Sequence, residues 1–242
     1  MENKPVPQAY PQVGVASTCR SFEEYRAMFQ LTETIWNKGP VLDVAGGASS
    51  FVAELNAMGI AAFAADPFYE GETEAIIAAG FKEIEVSSAK LENMADNYDW
   101  SYYGSPKQHR TLREDSWARF AADFRKTDAG SRYYAASLPN LPFEKDTFEL
   151  VVCSHFLFLY ADTFGEAFHA DALAELIRVL RPGGELRIYP IITLKWEECS
   201  FLSEILRELK HVEHFEYLPT GLPFMPVPSP LLRLVKTHHT QN

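Results

Sequence analysis

Short apolar runs alternate with longer stretches whose apolar residues return every three or four positions, and this alternation predicts strands and helices in turn. Residues 1–16 are proline-rich and read as extended. Ser21-Phe-Glu-Glu24 has capping-box spacing and opens a helix through about Gln30, with Phe22, Tyr25, Met28 and Phe29 at helical spacing. The apolar run Val41–Val44 reads as a strand that breaks into the small residues 45–48. A helical pattern then carries Phe51, Leu55 and Met58. A second strand at 60–65 ends at Asp66, and a second helix follows at 72–80. The next good strand is 132–137. Farther on, Leu173, Leu176, Ile177 and Leu180 form one face of a helix at 170–180, which Pro182-Gly183-Gly184 stops. Residues 196–210 read as a helix, and Val212–Leu218 and 231–237 as two strands linked by the proline-rich 219–230.

The turn after the first strand carries the most information. Small residues there let the backbone approach a ligand closely, with a helix N-terminus aimed at it. Asp66, about 20 residues past the turn at the end of the second strand, stands where α/β nucleotide folds hold a ribose diol. An ordinary crossover with a glycine turn explains this stretch alone equally well. Ala45-Gly46-Gly47-Ala48-Ser49-Ser50 is not G-x-G-x-x-G, which argues against a dinucleotide.

Residues 88–131 break the rhythm, because about 40 residues separate the short apolar run 84–86 from the strand at 132–137. The segment holds Tyr98, Trp100, Tyr102, Tyr103, Trp117, Phe120 and Phe124. A helix at 112–126 would place Trp117, Phe120, Ala121 and Phe124 on one face, and that face must bury against something. It is read here as a lid over the substrate pocket, with a packed excursion as the equal alternative. His109-Arg-Thr-Leu-Arg113, near Lys107, is a modest basic cluster and reads as a solvated helix start.

Three stretches together resemble one family. Asp43 through Ser49 is similar to D-x-G-x-G-x-G of the class I S-adenosylmethionine-dependent methyltransferases, with Gly47 at the middle glycine and Ala45 and Ser49 at the outer two. Leu141-Pro-Phe-Glu-Lys-Asp-Thr-Phe-Glu-Leu-Val-Val-Cys153 resembles the family's turn into its fourth strand. Ala172-Leu-Ala-Glu-Leu-Ile-Arg-Val-Leu-Arg-Pro-Gly-Gly-Glu-Leu-Arg-Ile188 resembles its helix, turn and fifth strand. The resemblance spans roughly 40–190. It implies an α/β fold, a seven-stranded doubly wound sheet in the order 3-2-1-4-5-7-6 with the last strand antiparallel. A helical insertion would lie between the second and third strands. One methyltransferase domain, 1–242, would then carry a helical N-terminal cap at 1–36 and the lid-like segment at 88–131.

The resemblance also implies S-adenosylmethionine as cofactor and assigns its contacts. Asp43 would support the turn and face the amino-acid end, and Ala45, Gly46 and Gly47 would make room. Asp66, followed by Pro67, would bind both ribose hydroxyls. Ser137 falls where the family usually has an acid for the adenine amino group, so the Leu138 N–H would share that grip. Ser154 and His155 would border the methionine part and the methyl. Arg20 would pair with the cofactor carboxylate. His155, at a C-terminal strand end, reads either as a general base or as a hydrogen-bonded structural histidine. His169 reads as structural. The stretch Cys153-Ser-His-Phe156 is not the [DNS]-P-P-[YF] of enzymes that methylate amides and base amines, and no metal-ligand cluster is visible.

Composition narrows the partners. The formal net charge of −11 disfavours a nucleic-acid partner. No apolar run approaches the roughly 20 residues of a membrane span, and Met1-Glu-Asn-Lys-Pro lacks a signal-peptide core. Cys19, Cys153 and Cys199 have no C-x-x-C spacing, which fits a reducing cytoplasm. The expected activity is methyl transfer to a small-molecule acceptor. The rivals are a protein or peptide methyltransferase docking through 219–230, and a cofactor-binding partner subunit without transfer activity.

Overall fold

Seven strands form one sheet in the order β3-β2-β1-β4-β5-β7-β6. They are β1 Val41–Val44, β2 Ala62–Ala65, β3 Tyr133–Tyr134, β4 Phe148–Ser154, β5 Leu180–Tyr189, β6 Val212–Leu218 and β7 Leu231–Lys236. Only β7 runs antiparallel to its neighbours, β5 and β6. This computed structural model describes residues 9–12 and 14–238; the rest of the extended N-terminal run expected from the sequence lies outside them.

The helices are α1 Phe22–Phe29, α2 Glu33–Trp36, α3 Phe51–Ala57, α4 Thr73–Asn93, α5 Pro106–Phe124, α6 Ala161–Val179 and α7 Leu202–Glu208. Alternate residues of the central strands face opposite cores, as the two-residue period of a strand requires. Val41, Leu150 and Val152 face the core built with α1, α3, α4 and α5. Leu42, Val44, Val151 and Cys153 face the one built with α6 and α7. Both faces are covered, which is why β1 and β4 read as mostly apolar runs, broken only by Asp43 in β1 and by Glu149 and Ser154 in β4. The capping box is present: Glu24 N–H donates to Ser21 Oγ at 3.3 Å, and Ser21 N–H donates to Glu24 Oε2 at 2.8 Å.

Several boundaries differ from the sequence expectation. The helix expected at 72–80 continues to Asn93 and absorbs 84–86, because Ile76, Ile77, Gly80, Ile84, Ser88 and Leu91 share its buried face. The helix expected at 112–126 begins at Pro106, where Ser105 caps it and proline sits in the first turn. Only Tyr133–Tyr134 of 132–137 pairs in the sheet. The helix expected at 170–180 begins at Ala161 and tolerates a break at Gly165, whose φ is 74°. It ends at Val179, and Leu180 already pairs with Phe148, so Pro182-Gly183-Gly184 lies within β5. Of 196–210 only Leu202–Glu208 is helical, since 193–197 close a turn through Thr193 N–H to Glu197 O.

The proline-rich linker is docked. Thr220 Oγ1 donates to Met28 O at 3.2 Å and Gly221 N–H to Ala27 O at 3.0 Å, capping the end of α1. Among the described residues no helix is long and apolar enough to cross a membrane.

Candidate functional site

The turn after β1 is clamped from both sides. Ala45 takes a φ of 60° and Gly47 one of 53°. A Cβ on Gly47 would stand 2.6 Å from Ser17 Oγ and 3.0 Å from Thr18 O, so the 17–18 backbone lies directly on this glycine. Gly47 N–H donates to Asp66 Oδ2 at 2.9 Å and Phe68 N–H to Asp66 Oδ1 at 2.8 Å, while the Tyr69 hydroxyl donates to Gly47 O at 2.8 Å. Asp66 therefore ties the end of β2 to the turn and caps the short 3₁₀ turn Pro67–Tyr69. Beneath the turn Asp43 is only 1% exposed and receives the Tyr25 hydroxyl at 2.9 and 3.2 Å. Burial pushes its carboxyl well above the ordinary range, the Tyr25 hydrogen bond opposes this, and neighbouring Asp66 adds to it.

Above the turn, at the C-terminal ends of β1 to β4, lies a cavity of about 510 Å³. Ala45, Asp66, Pro67, Ser137, Leu138 and Ser154 all line it, so six residues expected at the cofactor come together there. Asp43, Gly46 and Gly47 form the layer below rather than the wall. The volume falls in the range of small-molecule and cofactor sites, about 300–1,000 Å³. Ser17 Oγ on its wall has no hydrogen-bond partner. Each Asp66 oxygen takes one backbone N–H and keeps a lone pair for a ribose hydroxyl. These residues fit S-adenosylmethionine, which Asp66 would hold by the ribose and Ser137 and Leu138 by the adenine.

A second cavity, about 100 Å³, lies on the other side of Ala16, Ser17, Thr18 and His155, which border both. Arg20 lines this one and not the first. Its wall includes Glu83 of α4, Tyr98, His109 and Arg113 of α5, and Phe224 of the proline-rich linker. His109 and Arg113 are each 4% exposed, so the expected solvated helix start is in fact buried. They share a helical stripe with Ser116 and Phe120, and an α5 begun earlier in the sequence would have revealed a charge on its apolar side. Trp117, Phe120 and Phe124 do not cover either cavity. Trp117 Nε1 donates to Ile77 O at 2.8 Å, and Phe120 and Phe124 pack on Tyr69 and Tyr133 at the sheet edge. The aromatic face thus completes the core, while the first half of the same helix reaches the site.

Glu24 joins the second cavity to α1. Its oxygens accept the Tyr103 hydroxyl at 2.5 Å, the Arg113 guanidinium, and the N–H and hydroxyl of Ser21. Burial works to raise this carboxyl, but Arg113 and Arg20 overcome it and hold it at about 2. Arg20 Nη1 stands 3.6 Å from Glu24 Oε1.

His155 takes a φ of 52°, and its N–H donates to Tyr189 O at 2.7 Å. Nδ1 lies 3.0 Å from Ser154 Oγ, leaving Nε2 as the remaining ring nitrogen. Burial, then Arg20 and Arg113, hold the imidazole well below its usual range, so it is neutral. His169 is away from both cavities, buried with its ring nitrogens 2.5 Å from Gly165 O and 2.8 Å from Leu157 O.

The sheet order and the six-residue cavity wall define a class I methyltransferase fold. A methyltransferase domain family matches residues 104–188, which covers α5 through most of β5. An uncharacterised protein of Methanocaldococcus jannaschii is 33% identical over 200 residues, covering 82% of this chain and 88% of that protein. A putative S-adenosylmethionine-dependent methyltransferase from Methanococcus maripaludis aligns over 91% of this chain and 92% of its own, with 14% identity and a TM-score of 0.44. A possible histamine N-methyltransferase from Thermotoga maritima aligns over 89% and 91%, with 13% identity and a TM-score of 0.45. The chain belongs to one family with the M. jannaschii protein, its residues 104–188 match a methyltransferase domain, and its fold is that of the class I S-adenosylmethionine-dependent methyltransferases, which makes S-adenosylmethionine the implied cofactor.

Proposed function

We propose that this chain is an enzyme that transfers the methyl group to a small-molecule acceptor held in the second cavity. One observation carries this: the cofactor cavity and the smaller cavity share a single thin wall, Ala16 to Thr18 with His155. An acceptor in the smaller cavity is within reach of the methionine end of the larger one. Bound S-adenosylmethionine supplies a methyl already activated on a sulfonium, so the protein's work is alignment and exclusion of water. Tyr98, Trp196 and Phe224 exclude water on the acceptor side. His155 orients the acceptor across the wall. Its basicity is too depressed for it to serve as an efficient base near neutral pH, which favours catalysis by proximity.

The proline-rich linker supports the same reading over a peptide acceptor. Phe224 stacks on His109 at 5.4 Å and on Tyr98 at 4.8 Å between ring centres, so the linker closes the acceptor cavity from inside. The test is to incubate the protein with methyl-labelled S-adenosylmethionine and either the low-molecular-weight or the macromolecular fraction of a lysate. Label should enter small molecules. Label in protein or RNA alone would overturn the proposal, and no turnover with intact cofactor binding would favour a partner subunit.

A further inference from the structure

Four described residues keep a buried side-chain polar atom without a hydrogen-bond partner, and three of them stand on the wall of the smaller cavity: Ser17, Arg20 and Tyr98. Buried polar groups are almost always satisfied, so three orphans around one space point to something that fills it. Arg20 matters most. It is 6% exposed, and both Nε and Nη1 lack an acceptor.

Its neighbour cannot satisfy it. Glu24 is already engaged by Tyr103, Ser21 and Arg113, and Arg20 is left 3.6 Å away. Two buried guanidinium groups thus face one carboxylate. Among the described residues Glu24 is the only ion-pair partner of Arg20; Glu83, on the α4 wall, makes no ion pair with it. The histidines, tyrosines and Cys19 on that wall offer no negative charge, since burial lowers the imidazoles and raises the phenols and the thiol. A surplus buried cation is costly unless paired, and a carboxylate is its natural complement. The space is small. A dry cavity of about 150 Å³ holds a benzene, so about 100 Å³ suits a short chain or at most one small ring.

Granting that the acceptor is a small molecule, as proposed above, we infer that it is a compact organic acid whose carboxylate pairs with Arg20 inside the smaller cavity. Tyr98 OH and Ser17 Oγ complete the polar lining, and the methyl-accepting atom lies toward His155 and the shared wall. The bound anion also offsets the mutual repulsion of Arg20 and Arg113.

Calorimetry on the protein saturated with S-adenosylhomocysteine tests this, using acetate, propionate and benzoate against acetamide, propionamide and benzamide. The acids should bind at least ~10-fold more tightly than the amides, because a charge-assisted hydrogen bond is lost with the charge. Arg20→Gln should remove that preference while changing S-adenosylmethionine affinity by less than about 3-fold, and Arg20→Lys should restore part of it. The acid and amide comparison needs no variant, so it stands if Arg20→Gln fails to fold. Equal binding of acids and amides, or no binding of either, overturns the carboxylate and leaves small-molecule transfer intact. An Arg20→Gln loss of S-adenosylmethionine affinity above ~10-fold overturns it too, and places Arg20 on the cofactor's own carboxylate. Label entering only macromolecules in the lysate assay overturns both.

Discussion

Asp66 carries two loads, and separating them is the sharpest test of the cofactor placement. In the ligand-free chain its oxygens hold Gly47 N–H at 2.9 Å and Phe68 N–H at 2.8 Å. Asp66→Ala removes a cap and the tie between β2 and the turn, which costs stability by about 0.5–2 kcal/mol. If the cofactor lies as proposed, the substitution also removes the acceptors for the ribose hydroxyls. Charge-assisted hydrogen bonds are worth ~1.5–3 kcal/mol, so part of one or the whole of one gives about 1–3 kcal/mol in affinity, or roughly 5- to 150-fold. Asp66→Asn keeps one acceptor oxygen and should fall between the two. Calorimetric titration with S-adenosylmethionine reads the affinity, and a thermal melt without ligand reads the stability. If Asp66→Ala binds as tightly as the parent, the ribose lies elsewhere and the site as drawn is wrong. If binding falls only in proportion to unfolded protein, Asp66 is a tether and no more.

Three further outcomes follow from the same geometry. His155→Ala should lower kcat by less than about 10-fold with S-adenosylmethionine affinity nearly unchanged, measured once an acceptor is in hand; a fall of about 10²–10⁴ would show it to be the base. Glu24→Gln leaves Arg20 and Arg113 buried against a neutral amide and should cost ~3–5 kcal/mol in denaturant unfolding, whereas a loss under about 1 kcal/mol would mean the cluster is solvated. Stability should also depend on pH in two stages. Between pH 6.5 and 4.5 the unfolded chain takes up protons at His109 and His155 that burial denies the folded chain, while Asp43, raised by burial well above the usual carboxylate range, protonates first in the folded chain and offsets this. Below pH 4.5 the unfolded chain also protonates Glu24 and Glu185, whose folded carboxyls are held at about 2, so stability should drop steeply toward pH 2. Melting temperatures across pH 2–7 check it, and a steep loss already at pH 6 would contradict the offset.

Strands β1 and β4 were legible in the sequence because they are buried on both faces, which forces short, mostly apolar runs between turn residues. Ala45, Asp66, Ser137, Leu138 and Ser154 were legible because strand ends and local turns place them, and those are short-range matters. The acceptor side was not. Glu24 looked like a helix cap, and it is one, but its second role depends on Arg113, 89 residues away. Arg113 looked solvated because the helix start was placed too late. Trp117 and Phe120 drew attention as a lid because an aromatic stripe announces burial without saying against what. Arg20, expected at the cofactor carboxylate, lines the smaller cavity and not the larger, a placement set by how residues 16–18 lie over the turn and not by any local pattern.

The anchoring of α1 bears on the order in which the chain can be finished. Tyr25 needs Asp43, Glu24 needs Tyr103 and Arg113, and Phe29 O needs the Arg187 guanidinium at 2.5 Å, 158 residues later. A ribosome adding about 5–20 residues per second delivers Arg187 roughly 8 to 30 s after Phe29. The first helix among the described residues is therefore among the last to be locked. Until α5 emerges its glutamate lacks Arg113, and until β5 emerges its last carbonyls lack Arg187, so the locking of this helix waits on long-range contacts of the kind that slow a folding search.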